Sequence, residues 1–327
     1  MGATMQLRPL SDGNNAATDS AVADARKVST KLGIPHHVID LRDIFARTII
    51  ADFCDEYRLG RTPNPCVRCN ELIKFGILWE KAREMGADLL ATGHYALIAR
   101  DTTTGKYLLK KGKDPRKDQS YFLHRLTQEQ LGRTLFPLGS LTKIEVRKIA
   151  HEMGLPTAAR PESQEICFVP DDDYAAFLQS YAPAAAFPGP ILDYGGTVLG
   201  QHRGIMNYTI GQRMGLGIAA PAPLYVTAIE PERNAIVVGD KTQTYSDELV
   251  ADNINWVRGM TPEFPLNIKA RVRYRHAEAA AAVTPLDKGS VYVKFSAPQM
   301  AVTPGQTVVF YVGNTVIGGG TITRQGR

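Results

Sequence analysis

Cysteine and long apolar runs are scarce in this sequence, and each scarcity excludes a class of protein. Four cysteines among 327 residues are too few for a disulfide scaffold, so we expect a reducing, cytoplasmic compartment. No uninterrupted run of 18 apolar residues occurs, and we therefore expect no membrane span. The stretch from Met1 to Pro9 is too short and too polar for a signal peptide, so we expect none there.

The composition is that of a globular protein with a small excess of positive charge. Hydrophobic residues make up 44% and charged residues 22% of the chain, and the formal net charge is +5. The length fits about two or three domains. A basic surface suits an anionic partner, but an ordinary solvated surface explains the same charge equally well.

The first half of the chain alternates helical and strand patterns. Helical spacing of apolar residues predicts helices over 22–32, 71–85 and 141–153, and glycine ends the first two at Gly33 and Gly86. The last of these helices has a predicted inner face of Val146, Ile149, Ala150 and Met153. Residues 36–41 and 88–92 are strand candidates, the second one buried. This βαβ order predicts an α/β fold with a doubly wound parallel sheet.

The pattern changes near residue 170. Residues 195–218 are rich in glycine, and after about residue 223 short strands alternate with turns. Gly313-Asn314 between two apolar runs indicates a hairpin, and the regular strand spacing predicts a small antiparallel β-barrel. The predicted domains are residues 1–168, a small central α+β domain at 169–222, and the barrel at 223–327.

The four cysteines differ in their surroundings. Cys66 and Cys69 lie in a segment rich in proline and asparagine, and Cys167 lies in a second polar segment. Thiolates are the reactive form of cysteine, and two within reach carry sulfur, accept it and close as a disulfide. A further helix is predicted from Phe45 to Tyr57, and Cys54 lies on it four residues after Ile50 and three before Tyr57, as a core residue does. Cys66-x2-Cys69 is also half of a zinc site, although no second close pair completes it.

A stripe of cations occurs in the predicted barrel. Alternation with apolar residues predicts that the four cations share one face of a strand, namely Lys269, Arg271, Arg273 and Arg275. Such a stripe binds phosphates when RNA is the partner. It is otherwise an ordinary solvent-facing surface.

Six short segments, taken in order, resemble the tRNA-specific 2-thiouridylase family, over nearly the whole chain. They are residues 60–65 (GRTPNP), 91–95 (ATGHY), 117–122 (KDQSYF), 166–168 (ICF), 208–213 (YTIGQR) and 303–306 (TPGQ). The resemblance implies a sulfurtransferase that uses ATP, with Mg²⁺, to adenylate the C2 oxygen of the wobble uridine in tRNA. It then implies replacement of that oxygen by sulfur, which a sulfur-carrier protein delivers as a persulfide.

The resemblance assigns the sulfur chemistry to two thiols. Cys167 matches the persulfide-bearing cysteine, and Cys69 matches the nucleophile that helps to release sulfur and pairs transiently with Cys167 in a disulfide. Glu165 and the acidic residues 171–173 flank Cys167. Because nearby carboxylates disfavour a thiolate, we expect the activation of Cys167 to come from elsewhere in the fold.

The resemblance also assigns binding residues. Asn64, Pro65 and Cys66 correspond to the segment that meets the target base, which must flip out because its C2 atom is unreachable within a stack. Met5 and Gly93 match positions beside the adenine nucleotide. The positions that match tRNA contacts are His94, Lys117, Asp118, Gln119, Arg273, Tyr274 and Gln306.

Ordinary structural roles compete with several of these assignments. Met5 also suits a core position, and Gly93 suits the plain end of a strand. His94 suits a surface histidine, and residues 117–119 suit a solvated charged loop. For Arg273 and Tyr274, the resemblance favours RNA over a plain surface.

One family motif is absent from this sequence. The family's nucleotide phosphates are held by a Ser-Gly-Gly-x-Asp-Ser loop, and neither that motif nor Gly-x4-Gly-Lys-Ser/Thr occurs here. By the family pattern, the sequence begins within the second strand. We therefore expect that the chain as written does not release pyrophosphate from ATP. The alternative function is a non-catalytic tRNA-binding protein that lost ATP activation.

Overall fold

The computed structural model describes residues 1–8, 16–160, 166–170, 173–181 and 187–326. The chain divides into two compact units. The first comprises Met1–Ala51 and Cys66–Phe168, and the second comprises Asp52–Pro65 and Val169–Arg327. Among the helices of the described residues, none has the length and apolar character needed to cross a membrane.

The first unit contains short strands and several helices. The strands are β1 (Gly2–Gln6), β2 (His36–Asp40), β3 (Leu90–Ala91), β4 (Ala96–Arg100), β5 (Tyr107–Lys111) and β6 (Thr134–Leu135). The helical segments, of which two are π-helical, are α1 (Ala16–Leu32), α2 (Arg42–Phe45), π1 (Ala46–Ile50), α4 (Pro65–Arg68), π2 (Cys69–Ile77), α5 (Leu78–Glu84), α6 (Gln128–Gly132) and α7 (Lys143–Glu152).

Parallel strand pairs confirm the predicted α/β class of this unit. Strand β1 pairs with β2 in parallel, with Met5 opposite Ile39, and β3 pairs with β6 in parallel. Gly33 adopts a left-handed φ of 66° directly after α1, as its position at a helix end predicts. The strand predicted at 88–92 shrinks to Leu90–Ala91 and is not buried, since Leu89 is 50% exposed.

Helix α7 forms where the sequence predicts it, but its predicted inner face is wrong. A capping box between Thr142 and Glu145 begins the helix, because each side chain accepts from the other residue's backbone amide. No residue of α7 is buried, and Ile149 and Met153 are 42% and 48% exposed. Periodicity reports an apolar face of a helix and not what covers that face.

One continuous helical stretch carries two of the cysteines. Segments α4, π2 and α5 follow one another without a break from Pro65 to Glu84. Proline suits the first turn of a helix because its missing N–H has no partner there in any case. Gly86 ends the stretch with a φ of 85°, and its buried face includes Cys69, Ile73, Phe75 and Leu78.

The second unit is mostly β-structure. Its helices are α3 (Ala51–Arg58) and α8 (Tyr174–Tyr181), and its strands are β7 (Gly189–Leu192), β8 (Val198–His202), β9 (Tyr225–Glu230), β10 (Ala235–Gly239), β11 (Tyr245–Trp256), β12 (Leu266–Arg271), β13 (Ala279–Pro285), β14 (Val291–Met300), β15 (Thr307–Val312) and β16 (Thr315–Gln325). Strands β8, β7, β10 and β9 form one sheet in that order. Its core includes Ile191, Val226 and Ile236.

The last six strands close into an antiparallel barrel, as predicted. The order is β11-β14-β13-β12-β15-β16, and β16 pairs back to β11. Gly313-Asn314 joins β15 to β16, which confirms the predicted hairpin. Inward residues of all six strands form the core, among them Leu249, Ile268, Val283, Val293, Phe310 and Ile322. The domain boundaries at residues 168 and 222 stay a prediction.

The predicted cation stripe is only partly a strand. Strand β12 ends at Arg271, and the amide of His276 donates to the Arg273 carbonyl at 3.1 Å within the turn that follows. Arg273 and Arg275 therefore do not share a strand face with Lys269 and Arg271, and this prediction was wrong. Alternation persists in the sequence past the point where the backbone leaves the sheet.

Candidate functional site

Three thiols lie together in the first unit. Cys66 is in α4 and Cys69 begins π2, so a spacing of three places both on one side of the helix. Cys167 comes from far along the chain, and a negative charge on it would raise the pKa of Cys66 and Cys69 further, beyond the larger effect of their burial. The two thiols that the sequence singled out, and Cys66 with them, are therefore within range of electrostatic interaction.

Local packing holds the segment that carries Cys167. The Phe168 ring packs edge-to-face on Phe45, with centroids 5.6 Å apart. Arg8 Nε donates to the Cys167 carbonyl oxygen at 2.6 Å. Cys167 is exposed, Cys66 is exposed and Cys69 is buried. The cluster therefore combines two cysteines at the surface with one that is shielded from water.

Loss of solvent has the largest effect on the pKa of each of the three thiols. Burial raises the pKa of Cys69 to about 12, and loss of solvent also raises the pKa of Cys66 and of Cys167. Cys66 is exposed at its surface, but its thiol is closely surrounded by protein. All three are protonated thiols at neutral pH in this structure, so reaction requires a source of thiolate.

Cations, and not the flanking acids, offset that desolvation in part. The charge of Lys74 lowers the pKa of Cys66, Cys69 and Cys167, and Arg8 lowers the pKa of Cys167 as well. Glu165 and Asp171–Asp172 lie outside the described residues. These cations come from elsewhere in the fold, but burial still leaves the pKa of Cys167 raised, so its activation stays a prediction, and sequence reasoning missed both cations.

Residues 61–64 form the Pro/Asn-rich loop, which is held within the second unit by contacts to residues 303–306 and 208–213. Gln306 Nε2 donates to the carbonyls of Thr62 at 3.0 Å and Pro63 at 3.3 Å, and the Thr62 amide donates to the Pro304 carbonyl at 2.9 Å. Gly305 has a φ of 88°, and a Cβ there would lie 2.9 Å from Thr62 backbone atoms. Glycine is required at that approach.

A third segment reaches the same loop. Thr62 Oγ1 lies 3.2 Å from Thr209 Oγ1, so residues 208–213 and 303–306 both contact residues 62–63. The loop leads directly into Asn64, which is half-buried, and Pro65, which is buried. Three of the six sequence motifs thus form one structural element.

Asp118 and Gln119 support the backbone instead of forming a solvated charged loop. Asp118 is buried, and its carboxylate accepts from the Gly112 amide at 3.1 Å and from the Ser120 amide at 3.1 Å. The Tyr95 amide donates to Gln119 Oε1 at 3.0 Å. The solvated-loop interpretation is wrong for Asp118, and Lys117 beside it is half-buried.

His94 is buried, so the surface interpretation of this residue is wrong. Its Nδ1 lies 2.8 Å from Thr92 Oγ1, and its ring packs 5.7 Å from both Phe75 and Phe136. Burial lowers its pKa to about 3, with a further contribution from Lys74. His94 is therefore a neutral imidazole at physiological pH.

Met5 and Gly93 leave the nucleotide assignment open. Met5 is half-buried on β1, so it is not a full core residue, and Gly93 is exposed after β3. A Cβ on Gly93 would meet Leu138 Cδ1 at 3.6 Å, an ordinary contact. The fold therefore does not require glycine at this position.

The barrel arginines are partly committed to the fold. Arg271 pairs with Glu278 at 2.9 Å, and both side chains are largely buried. Arg273 Nη2 donates to the Ile210 carbonyl at 3.0 Å and to Thr303. Tyr274 is half-buried next to it, and Lys269 is exposed. Lys269 and Arg275, both exposed, are thus the members of the stripe that best fit a phosphate-binding cation.

The structure also bears on Cys54, the remaining cysteine, and on the zinc hypothesis. Cys54 is fully buried in α3, which confirms the core prediction, and burial raises its pKa to about 11. Within the described ranges, no group of three or more His, Cys, Asp or Glu side chains is arranged to hold a metal ion.

Three protein-family models match successive parts of the chain. Residues 1–171 match the family described as tRNA methyl transferase HUP domain. Residues 175–240 match the tRNA methyl transferase PRC-barrel domain. Residues 246–322 match the aminomethyltransferase beta-barrel domain.

Individual relatives are similar over almost the whole chain. The tRNA-specific 2-thiouridylase MnmA of Heliobacterium modesticaldum is 48% identical over 99% of this chain and 86% of its own length. Those of Acetivibrio thermocellus (48% identical, 98% of this chain, 91% of the relative) and Symbiobacterium thermophilum (51% identical, 93% and 78%) are comparable. The chain therefore belongs to the tRNA-specific 2-thiouridylase family.

Proposed function

We propose that this chain is a tRNA uridine 2-sulfurtransferase that performs ATP-dependent 2-thiolation of the wobble uridine. The names of its relatives support the substrate and the product. The observation that supports the proposal is the electrostatic interaction of Cys69 with Cys167 and with Cys66 in the first unit, together with the charge of Lys74, which acts on all three thiols. A protein that only bound RNA would gain nothing from assembling these thiols.

The sulfur step balances with the two cysteines alone. Cys167 bears the sulfane sulfur of a persulfide, delivered by a sulfur-carrier protein. The Cys69 thiolate attacks Cys167 Sγ, the persulfide S–S bond breaks, and hydrosulfide leaves with the electron pair. The result is a Cys69–Cys167 disulfide, so the two cysteines supply the two electrons that reduce the sulfur. An external thiol restores the dithiol.

The base is activated before sulfur arrives. The uridine O2 attacks the α-phosphorus of ATP, bound with Mg²⁺, and pyrophosphate leaves. Hydrosulfide then adds at C2, and AMP departs with the original oxygen. Met5 and Gly93 are the proposed adenosine contacts, and Asn64, Pro65 and Cys66 are the proposed contacts of the flipped base.

The proposed tRNA contacts belong to both units. His94, Lys117, Asp118 and Gln119 belong to the first, and Arg273, Tyr274 and Gln306 belong to the second. The buried side chains of His94 and Asp118, and the amide of Gln306 that is hydrogen-bonded to Thr62 and Pro63, favour an indirect role, in which they shape the backbone that meets RNA. Phosphate contacts from cations supply most of the affinity for RNA in such interfaces.

The test is formation of 2-thiouridine in tRNA by a chain that also carries a Ser-Gly-Gly-x-Asp-Ser segment at its amino end. Cys69→Ser and Cys167→Ser should each abolish the product, measured by mass spectrometry of nucleosides, without a large loss of tRNA binding. Cys54→Ala is the matched control and should retain the activity. Thiolation by either serine variant would remove that cysteine from the mechanism.

The second candidate function is a tRNA-binding protein without ATP activation. It is favoured by one observation, the absence of a phosphate-loop motif from the sequence. We predict that the 327-residue chain releases no pyrophosphate from ATP with cognate tRNA, while the extended chain does, because an adenosine contact alone does not orient the α-phosphorus. Clear turnover by the 327-residue chain would show that another segment binds the triphosphate.

A further inference from the structure

A π-helix begins at the thiol cluster and changes which residues face it. Segment π2 runs from Cys69 to Ile77, and the amide of Leu78 donates to the Ile73 carbonyl five residues earlier. In a π-helix each residue lies beneath the one five positions ahead, because the hydrogen bonds run from i to i+5. Cys69 and Lys74 are five apart, so π2 brings them onto one face.

An α-helix of the same sequence would separate the two side chains. Five residues at 3.6 per turn place Lys74 roughly 140° around the axis from Cys69. The π-helical turn is a poorer backbone arrangement than an α-helix, and such turns recur at functional sites. The irregular turn in this helix therefore has an identifiable consequence, which is the alignment of an ammonium group with a buried thiol.

The charges around the cluster agree with this placement. Lys74 is half-buried, and its charge acts on Cys66, Cys69, Cys167 and His94. Arg8 acts on Cys167 as a second cation. His94 is neutral, so it does not compete with Lys74 as a charge. Glu71 lies three residues before Lys74 in the same segment, but its carboxylate pairs with Arg68 and Arg125.

We propose that Lys74 is a positioning residue for sulfur transfer, which stabilises the thiolates of Cys66 and Cys69 and, together with Arg8, that of Cys167. This role deepens the proposed function and rests on it for the reaction. The thiolate stabilisation itself does not depend on tRNA, ATP or a sulfur donor. A cation beside a thiol favours the reactive anion by Coulomb attraction, and more so where water is partly excluded.

The experiment is the pH profile of thiol alkylation in the full chain, resolved by cysteine with peptide mass spectrometry after iodoacetamide pulses. In Lys74→Met and Lys74→Gln, we expect Cys66 and Cys69 to react about tenfold more slowly near pH 7.5, as a rise of one pKa unit would cause. Cys167 should slow less, because Arg8 remains. Lys74→Arg should keep the wild-type profile.

Two controls separate this role from a structural one. Lys81→Met removes an exposed cation from the same helical stretch, where Lys81 pairs with Glu84, and should change no profile. The buried Cys54 reports unfolding, since it should stay unreactive in every variant. Unchanged Cys66 and Cys69 profiles in both neutral variants, with Cys54 protected, would overturn the proposal. So would an arginine variant that behaves like the neutral ones.

Failure of the proposed function gives a different pattern. In that case no form of the protein thiolates tRNA, but the pH profiles of alkylation are normal in Lys74→Arg and shifted in the neutral variants. Lys74 would then be a thiolate-stabilising residue in a protein of another activity. Where thiolation occurs, the neutral variants should lower kcat and leave the KM for tRNA within about twofold, because the lysine acts on sulfur and not on RNA affinity.

Discussion

The thiols of the first unit and the cations of the second unit are both polar groups that the sequence singled out, but they have opposite environments. Loss of solvent raises the pKa of Cys66, Cys69 and Cys167, which opposes the ionised form that chemistry needs. Arg271 is instead already paired with Glu278. The thiols still need a group that stabilises their ionised form, whereas some of the barrel cations already pair with other parts of the fold.

The difference shows what a sequence motif does and does not specify. A cysteine in a reactive motif is useful only if its surroundings supply a thiolate on demand, and here those surroundings are Lys74 and Arg8. A cation in a basic stripe is useful for RNA only if no carboxylate neutralises it. The motif names the group, and the neighbours in space decide its role.

The largest expected effect concerns the loop that leads to Cys66. Gln306→Ala removes both hydrogen bonds to the carbonyls of Thr62 and Pro63. We expect the thiolation rate to fall by up to about a hundredfold, since small misplacements of reacting groups cost that much. Affinity for tRNA, measured by filter binding, should change by less than about threefold.

Gln299→Ala is the matched control, because Gln299 is a half-buried glutamine of the same unit whose side chain donates locally to the Ala297 carbonyl. It should leave the rate unchanged. If Gln306→Ala instead lost tRNA affinity and kept its rate at saturating tRNA, Gln306 would be a tRNA contact and not a support of the loop.

The pH dependence of stability should be dominated by two buried histidines of the first unit. Burial lowers the pKa of His94 and of His124 to about 3 from 6.5. The unfolded chain takes up these protons below about 6.5 and the folded chain does not, so stability is present above that pH and is lost as pH falls toward 3. Each should contribute about 2 kcal/mol less at pH 5 than at pH 7.

Urea unfolding followed at both pH values measures that loss. His124→Gln removes one of the two groups and should shrink the difference between pH 7 and pH 5 by about half. His151→Gln is the control, because His151 is exposed at the end of α7. Equal pH dependence in all three proteins would mean that other groups govern acid sensitivity.

A smaller effect is expected from Cys54, the buried thiol without a chemical role. Cys54→Ala should lower the free energy of unfolding by about 1 kcal/mol, because it leaves a small cavity beside α3. Thiolation at a temperature well below the transition should match the wild type. Loss of activity in a stably folded variant would give Cys54 a part in sulfur transfer.

The smallest effects distinguish the cations of the barrel. Lys269→Ala and Arg273→Ala should each weaken tRNA binding and reduce its salt dependence by about one phosphate contact. Arg271→Ala should leave the salt dependence unchanged and destabilise the protein, because Glu278 loses its partner in a largely buried site. An equal salt dependence of tRNA binding in all three variants would mean that the stripe is an ordinary solvent-facing surface.

Much of the architecture follows from local sequence signals. Helix ends at Gly33 and Gly86, the Gly313-Asn314 hairpin and the barrel were predicted because turn chemistry and period-two alternation act over a few residues. The stripe failed because alternation continues after β12 ends at Arg271. His94 failed because the rings of Phe75 and Phe136 that cover it come from distant segments.

The site was predictable only as a set of residue types. The motifs identified Cys69 and Cys167, and a charge on Cys167 influences the pKa of Cys69 in the structure. Lys74 could not be found from the sequence, because helical periodicity assumes 3.6 residues per turn and the π-helix changes the facing residue. The supporting role of Gln306 also needed contacts between segments far apart in the chain.

The most direct test of the central claim, that Cys69 and Cys167 transfer sulfur, needs neither ATP nor tRNA. The chain is treated with one equivalent of glutathione persulfide, hydrosulfide release is measured, and disulfides are mapped by peptide mass spectrometry. The predicted result is about one hydrosulfide per chain and a disulfide that joins the Cys69 and Cys167 peptides, whereas Cys69→Ser retains a Cys167 persulfide and releases none. Hydrosulfide release that is unaffected by Cys69→Ser, or a disulfide that omits Cys167, would contradict the claim.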